Sequence, residues 1–219
     1  MGLTFSPLNG TPGQRACADF DGGLLAGTEI ATAMGWRAVE ALSAGDRVLT
    51  FDNGMVPLEA IYRQSMGQDD RMPIFGSARP LSVPAGALGN ERSFEVMPCS
   101  YLMIESDLAE EMFGDPFVIL PARALDGVFG IGPSRMSGQR PSLVRLCFER
   151  DEIVYLRSGG LIHCARDADM IDEIFASGHV GPTAALTLRE ARAFVGQMLE
   201  EAQRSGASGT APAMAHAAV

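Results

Sequence analysis

Residues 27–54 constrain this chain more than any other stretch, because Gly27, Gly35, Gly45 and Gly54 cut it into pieces suited to short strands and turns. Residues 28–32 alternate polar and apolar side chains, Met34-Gly35 can turn, and residues 36–39 run extended, which predicts a small hairpin. Residues 39–42 fit one helical turn. Gly45-Asp46 then breaks the chain before the β-branched and aliphatic run Arg47-Val48-Leu49-Thr50, and Asn53-Gly54 supplies the positive φ angles of a tight hairpin. A strand over residues 55–62 should follow. Asp46 is placed to hydrogen-bond local amides and fix its turn. Trp36, the only tryptophan, is expected in the core or at its rim.

Beyond this stretch, apolar runs alternate with breakers. Leu81-Ser82-Val83 predicts a strand, and residues 93–104 hold two apolar runs around a break at Met97-Pro98-Cys99-Ser100. Residues 107–113 predict a short helix with Asp107 as N-cap and Gly114 as its stop. Residues 117–120 read as a buried strand, and the glycine-rich residues 127–138 as a mobile loop. Residues 143–148 and 153–156, flanking Glu149-Arg150-Asp151-Glu152, predict a hairpin of two core strands, and residues 161–164 a last short strand. A weak helix over residues 167–175 precedes a stronger one to about Arg204, with Thr187 as N-cap and Glu190 at the capping-box position. Leu188, Ala191, Val195, Met198 and Leu199 give that helix an apolar stripe.

The organisation that follows is a flexible N-terminal arm over residues 1–16, a β domain over 17–166, a C-terminal helical appendage over 167–204 and a disordered tail over 205–219. With 219 residues and 47% apolar content, one main core is expected. A formal charge of -10 argues against a phosphate-tracking surface, so nucleic acid is not an expected partner. No apolar run is long enough to span a bilayer, and residues 1–12 lack the basic start and apolar centre of a signal peptide, so a cytoplasmic protein without membrane contact is expected. Cys17, Cys99, Cys147 and Cys164 show no Cys-x-x-Cys spacing, which points to reduced thiols and no zinc.

The ordered positions Gly27-Thr28-x-Ile30-x-Thr32-x-x-Gly35, followed by Val39-Glu40-x-Leu42-x-x-Gly45-Asp46-x-Val48-x-Thr50-x-Asp52, resemble the opening block of Hint domains, the Hedgehog/intein self-processing modules. The resemblance implies a mostly β, Hint-like horseshoe with short helices and the C-terminal α-helix added. It also implies where chemistry would sit. In a working Hint domain, a Cys or Ser four residues before the Gly-Thr pair attacks the preceding carbonyl and turns an amide into a thioester or ester. Here that position is Gly23, which carries no nucleophile. The family's second block holds Thr-x-x-His or Ser-Pro-x-His, whose imidazole polarises the scissile amide, and the matching residues are Met97-Pro98-Cys99-Ser100. Ser100 cannot act as an acid near neutrality as imidazolium does, so that contribution, typically a factor of roughly 10² to 10⁴, should be absent. Arg145 and Asp151 stand where related bacterial Hint proteins often show histidine.

His163-Cys164 is similar to the intein end, where an apolar run meets His-Asn, but the asparagine is missing. The fallback nucleophiles are Cys17 and Cys99, with His163 as their base; a buried cysteine beside a strand, however, ordinarily behaves as a small hydrophobe. The expected function is therefore a Hint-domain protein with degenerate catalytic positions at Gly23, Met97 and Ser100. It would act as an interaction or regulatory module, with a protein partner or self-association through the C-terminal helix and no cofactor or metal. The alternative is an autoprocessing acyl-transfer protein that uses a displaced thiol.

Overall fold

The computed structural model describes residues 23–65, 79–135, 142–166 and 185–204. The arm over residues 1–16, Cys17, the helix over 167–175 and the tail over 205–219 lie outside the described residues.

The glycine-punctuated stretch folds as its spacing predicts. After β1 (Leu24–Leu25), β2 (Glu29–Thr32) and β3 (Gly35–Ala38) close a hairpin in the register Glu29↔Ala38 to Thr32↔Gly35. A 3-10 turn over Val39–Ala41 leads to the second hairpin, β4 (Arg47–Thr50) and β5 (Gly54–Pro57). Gly54 adopts a φ of 64°, the positive value that this turn requires. Asp46 accepts from the Ser43 amide at 2.9 Å and pairs with Arg37 at 3.0 Å, which fixes the intervening corner. Trp36 is half-buried at the sheet's edge.

The single strand expected over residues 55–62 is in fact two. Pro57 has no N–H with which to extend a ladder, Leu58 turns inward, and β6 (Ala60–Ser65) leaves to pair with β12 (Ser142–Cys147) in another sheet. The hairpin expected between residues 143–148 and 153–156 is also absent. β12 pairs with β1 and β6, while β13 (Glu152–Tyr155) pairs with β4 and β14 (Leu161–Cys164). Both runs are apolar core strands, so their side-chain pattern carries no information on which neighbour each takes. Part of β12's exit is already occupied, because the Cys147 carbonyl accepts from the Glu59 amide at 2.9 Å.

Between these segments lie β7 (Leu81–Val83), β8 (Phe94–Val96), β9 (Tyr101–Glu105), α1 (Asp107–Phe113), β10 (Phe117–Pro121) and β11 (Gly132–Pro133). The N-cap of α1 is Ser106 rather than Asp107, and Gly114 ends the helix at a φ of 75° as expected. The loop expected over 127–138 is an ordered turn as far as residue 135: the Gly127 amide donates to Ile131 at 2.9 Å, Ile131 is buried, and β11 pairs with β7. The result is mostly β. The largest sheet runs β10-β9-β14-β13-β4-β2-β3 with β5 on β4, and two three-stranded sheets run β1-β12-β6 and β11-β7-β8.

Thr187 and Glu190 form the predicted capping box, with the Thr187 amide and hydroxyl donating to Glu190 Oε2 at 2.8 and 2.7 Å. The helix that follows, α2 (Leu188–Arg204), turns Ala191, Phe194, Val195 and Met198 into the main core beside β10 and a 3-10 turn over Ala122–Leu125. Phe194, which the sequence-based stripe omits, is its largest buried member at 1% exposure. Ala191, Val195 and Met198 of the expected stripe are thus buried in the chain's own core, and Leu188 and Leu199 pack partly buried against it.

Candidate functional site

Gly23 and Ser100, two of the three family positions singled out in the sequence, meet. Gly23 enters the structure immediately before β1, whose pairing Leu24↔Val144 and Leu25↔Leu143 fixes it against β12. Ser100 closes a turn whose amide donates to the Met97 carbonyl at 3.0 Å; the Ser100 carbonyl in turn accepts from Ala122 at 2.8 Å. Pro98 holds that turn through its carbonyl, which accepts from Arg123 at 2.9 Å. Between these two anchored segments, the fully buried Ser100 hydroxyl donates to the Gly23 carbonyl at 3.0 Å. A hydroxyl donor can satisfy a buried carbonyl, but it supplies neither a nucleophile at Gly23 nor a proton with a pKa near neutrality.

Beside Gly23 lies a cavity of about 10 Å³ whose walls include Leu24, Val96, Leu156 and Ile162. It adjoins an open groove of about 320 Å³ that shares Thr28, Glu95 and Leu156 with it. Arg157, on the groove wall, pairs with Glu29 at 2.9 Å.

Of the fallback nucleophiles, Cys99 does not line this cavity. Cys99 is buried with Leu25, Met97 and Leu143, and Cys147 is likewise buried. Burial, reinforced by the neighbouring Cys147, pushes the Cys164 thiol up to about 12, which leaves almost no thiolate at neutral pH. Cys17 lies outside the described residues.

His163 faces the other way. Its strand neighbour Ile162 lines the Gly23 cavity, and consecutive strand residues point to opposite sides of a sheet. The imidazole instead packs edge-on against Tyr101, with ring centroids 6.4 Å apart, and its Nε2 lies 3.6 Å from Asp151 Oδ2. Asp151 also accepts from the Arg166 amide at 2.8 Å. The neighbouring His163 imidazole, then the hydrogen bond from the Arg166 amide, hold the Asp151 carboxyl below the ordinary carboxylate value. Arg145 lies close enough to the Cys164 thiol to favour its charged form slightly, against the larger effect of burial. Among the described residues, no group of three or more His, Cys, Asp or Glu side chains could hold a metal ion.

Sequence reading missed two contacts. The Ser100–Gly23 bond joins positions 77 apart, and nothing local in either segment announces it. Glu152, read as part of a polar loop, begins β13 instead and is 2% exposed, with Asn53 Nδ2 donating to both of its oxygens at 3.0 and 3.1 Å. Its signal was available in the apolar run that starts directly after it.

A family model described as the Hint domain matches residues 23–159, and the chain belongs to that family. Among solved structures, the chain is similar to a GSH-linked, splice-inactive variant of the AceL NrdHF class 3 split intein. The identity is 14%, over 68% of this chain and 100% of that one, with a TM-score of 0.36, a likeness too distant to add to the family assignment. Comparison with curated proteins gives no match. Among the described residues, no helix is long and apolar enough to cross a membrane.

Proposed function

We propose that this chain is a Hint domain that does not cut itself and serves as a cytoplasmic protein-interaction or regulatory module. The observation that carries the reading is the buried hydrogen bond from Ser100 to the Gly23 carbonyl. By the family's spacing these are positions expected at an autoprocessing centre, and here they hold a glycine without a nucleophile and a hydroxyl spent on a buried hydrogen bond. Two further facts support it. The described thiols are buried and none lines the cavity, and the imidazole that could have served as base is engaged with Asp151 on the opposite side of the sheet.

A partner would be a protein rather than nucleic acid, given the charge of -10. Because the apolar stripe of α2 is buried, contact through this helix would use its polar side, where Arg192 and Glu201 point outward or partly so. The test is intact-mass measurement of freshly expressed protein. The expected result is one full-length species that hydroxylamine leaves unchanged. Fragments ending near residue 22, or a hydroxylamine-sensitive ester, would overturn the proposal, and their loss in a Cys17→Ala variant would assign the chemistry to the displaced thiol.

A further inference from the structure

We propose that Asn53-Gly54 is a self-modification site, in which the Asn53 side chain cyclises onto the backbone nitrogen of Gly54 and Glu152 restrains the reaction. Closing a five-membered imide joins atoms that are already neighbours in the chain, so the usual obstacle is crowding by the side chain of the following residue. Gly54 has none, and the space into which a Cβ would project is empty to 4 Å. The turn is at the surface with Asn53 exposed, so the water needed for the second step has access.

The Gly54 nitrogen gives its proton to hydroxide or a buffer base and attacks Asn53 Cγ. The Cγ–Nδ2 bond breaks, and the nitrogen leaves as ammonia after taking a proton from water. A second water then opens the imide at either carbonyl, giving an aspartate or an isoaspartate linkage at position 53. Nothing is oxidised or reduced, and the chain gains one negative charge.

The structure adds a restraint and a consequence. Asn53 Nδ2 donates to Glu152 Oε1 at 3.0 Å and Oε2 at 3.1 Å, so the amide must leave this carboxylate before Cγ can meet the nitrogen. After reaction, the donor has become a second carboxylate facing a group that is only 2% exposed, and two carboxylates sharing such a site cannot both ionise without cost. The position matters because the hairpin is tied to β13 beside it: the Phe51 amide donates to Ile153 at 2.8 Å, and Thr50 pairs with Val154. Conversion therefore strikes the joint between the β4–β5 hairpin and the large sheet.

The chain supplies its own comparators. Asn9-Gly10 offers the same dipeptide outside the described residues. Asn90 is buried, is followed by Glu91, and has its Nδ2 bound to the Pro84 and Arg92 carbonyls at 2.9 and 2.7 Å. The experiment ages the full chain in mildly alkaline buffer at physiological temperature and reads each asparagine by peptide mapping that separates isoaspartate from aspartate. Position 53 should lose ammonia transiently and then gain one mass unit, several-fold faster in Glu152→Ala and not at all in Asn53→Gln, while Asn90 stays unchanged. Asn53→Asp, a mimic of one product, should lower the urea midpoint, and by less when combined with Glu152→Gln. Two results would each overturn the proposal: an Asn53 peptide that stays intact in both the native chain and Glu152→Ala after the Asn9 peptide has converted, or an Asn53→Asp midpoint equal to that of the native chain.

Discussion

Replacing Ser100 by alanine removes the one oxygen that ties the Met97–Ser100 turn to the Gly23 segment. The hydroxyl is fully buried and donates at 3.0 Å to the Gly23 carbonyl, which is buried as well, so the variant leaves an acceptor facing an apolar wall. A buried polar group deprived of its partner costs about 1–3 kcal/mol, and the small volume change adds little. For a domain of this size, each kcal/mol moves the melting point by about 2–4 °C, so the expected fall is roughly 2–12 °C. The assay is paired calorimetric and urea unfolding, with an unchanged urea slope showing that the loss belongs to the folded state. The adjoining cavity of about 10 Å³ is at the lower limit for holding one water, which could rescue the carbonyl only in part. A loss below about 0.5 kcal/mol, less than even a typical net hydrogen bond contributes, would refute the view that Ser100 fastens the Gly23 segment.

Phe194→Ala empties the largest buried position of α2 and should cost about 3–5 kcal/mol, seen as a lower urea midpoint; an unchanged midpoint would mean that the helix is not part of the folding unit. Thr187→Ala removes the capping-box hydroxyl and should cost about 0.5–2 kcal/mol, measurable by the same titration. Because the folded pKa of Asp151 lies below its ordinary value of 3.8, its contribution is fully present above that value and is lost as pH falls through the lower one. Asp151→Asn should therefore flatten the acid limb of the stability curve below about pH 4 and sacrifice stability near neutrality, checked by urea midpoints across pH. Cys164, pushed up to about 12, should resist iodoacetamide in the native chain at neutral pH and react once urea unfolds it; rapid native labelling would contradict its burial.

How much of this was legible in the sequence depends on whether the cause was local. The two hairpins, the Asp46 corner and the capping box were readable because each is fixed by residues a few positions apart: Gly35 and Gly54 at positive φ, the Asp46 carboxylate on the Ser43 amide, Glu190 on Thr187. Strand partnership was not readable. β12 and β13 are both apolar runs separated by a few polar residues, and only the surrounding sheets decide that they diverge instead of pairing. At the candidate site, Gly23 and Ser100 could be singled out from the family's spacing. The contact between them could not, since a bond across 77 positions depends on where β1 and the Met97–Ser100 turn are carried by separate sheets.

The contact between Gly23 and Ser100 sets a requirement on the residue at position 100. The side chain there sits in a fully buried position against the Gly23 carbonyl and has to leave that acceptor satisfied. Most small residues would not do so: alanine or glycine offers no donor, and valine adds bulk without one. Serine is among the few side chains both small enough and able to donate, and its geometry here is that of an ordinary hydrogen bond at 3.0 Å. The side chain at position 100 thus holds the Gly23 segment in place from a fully buried position.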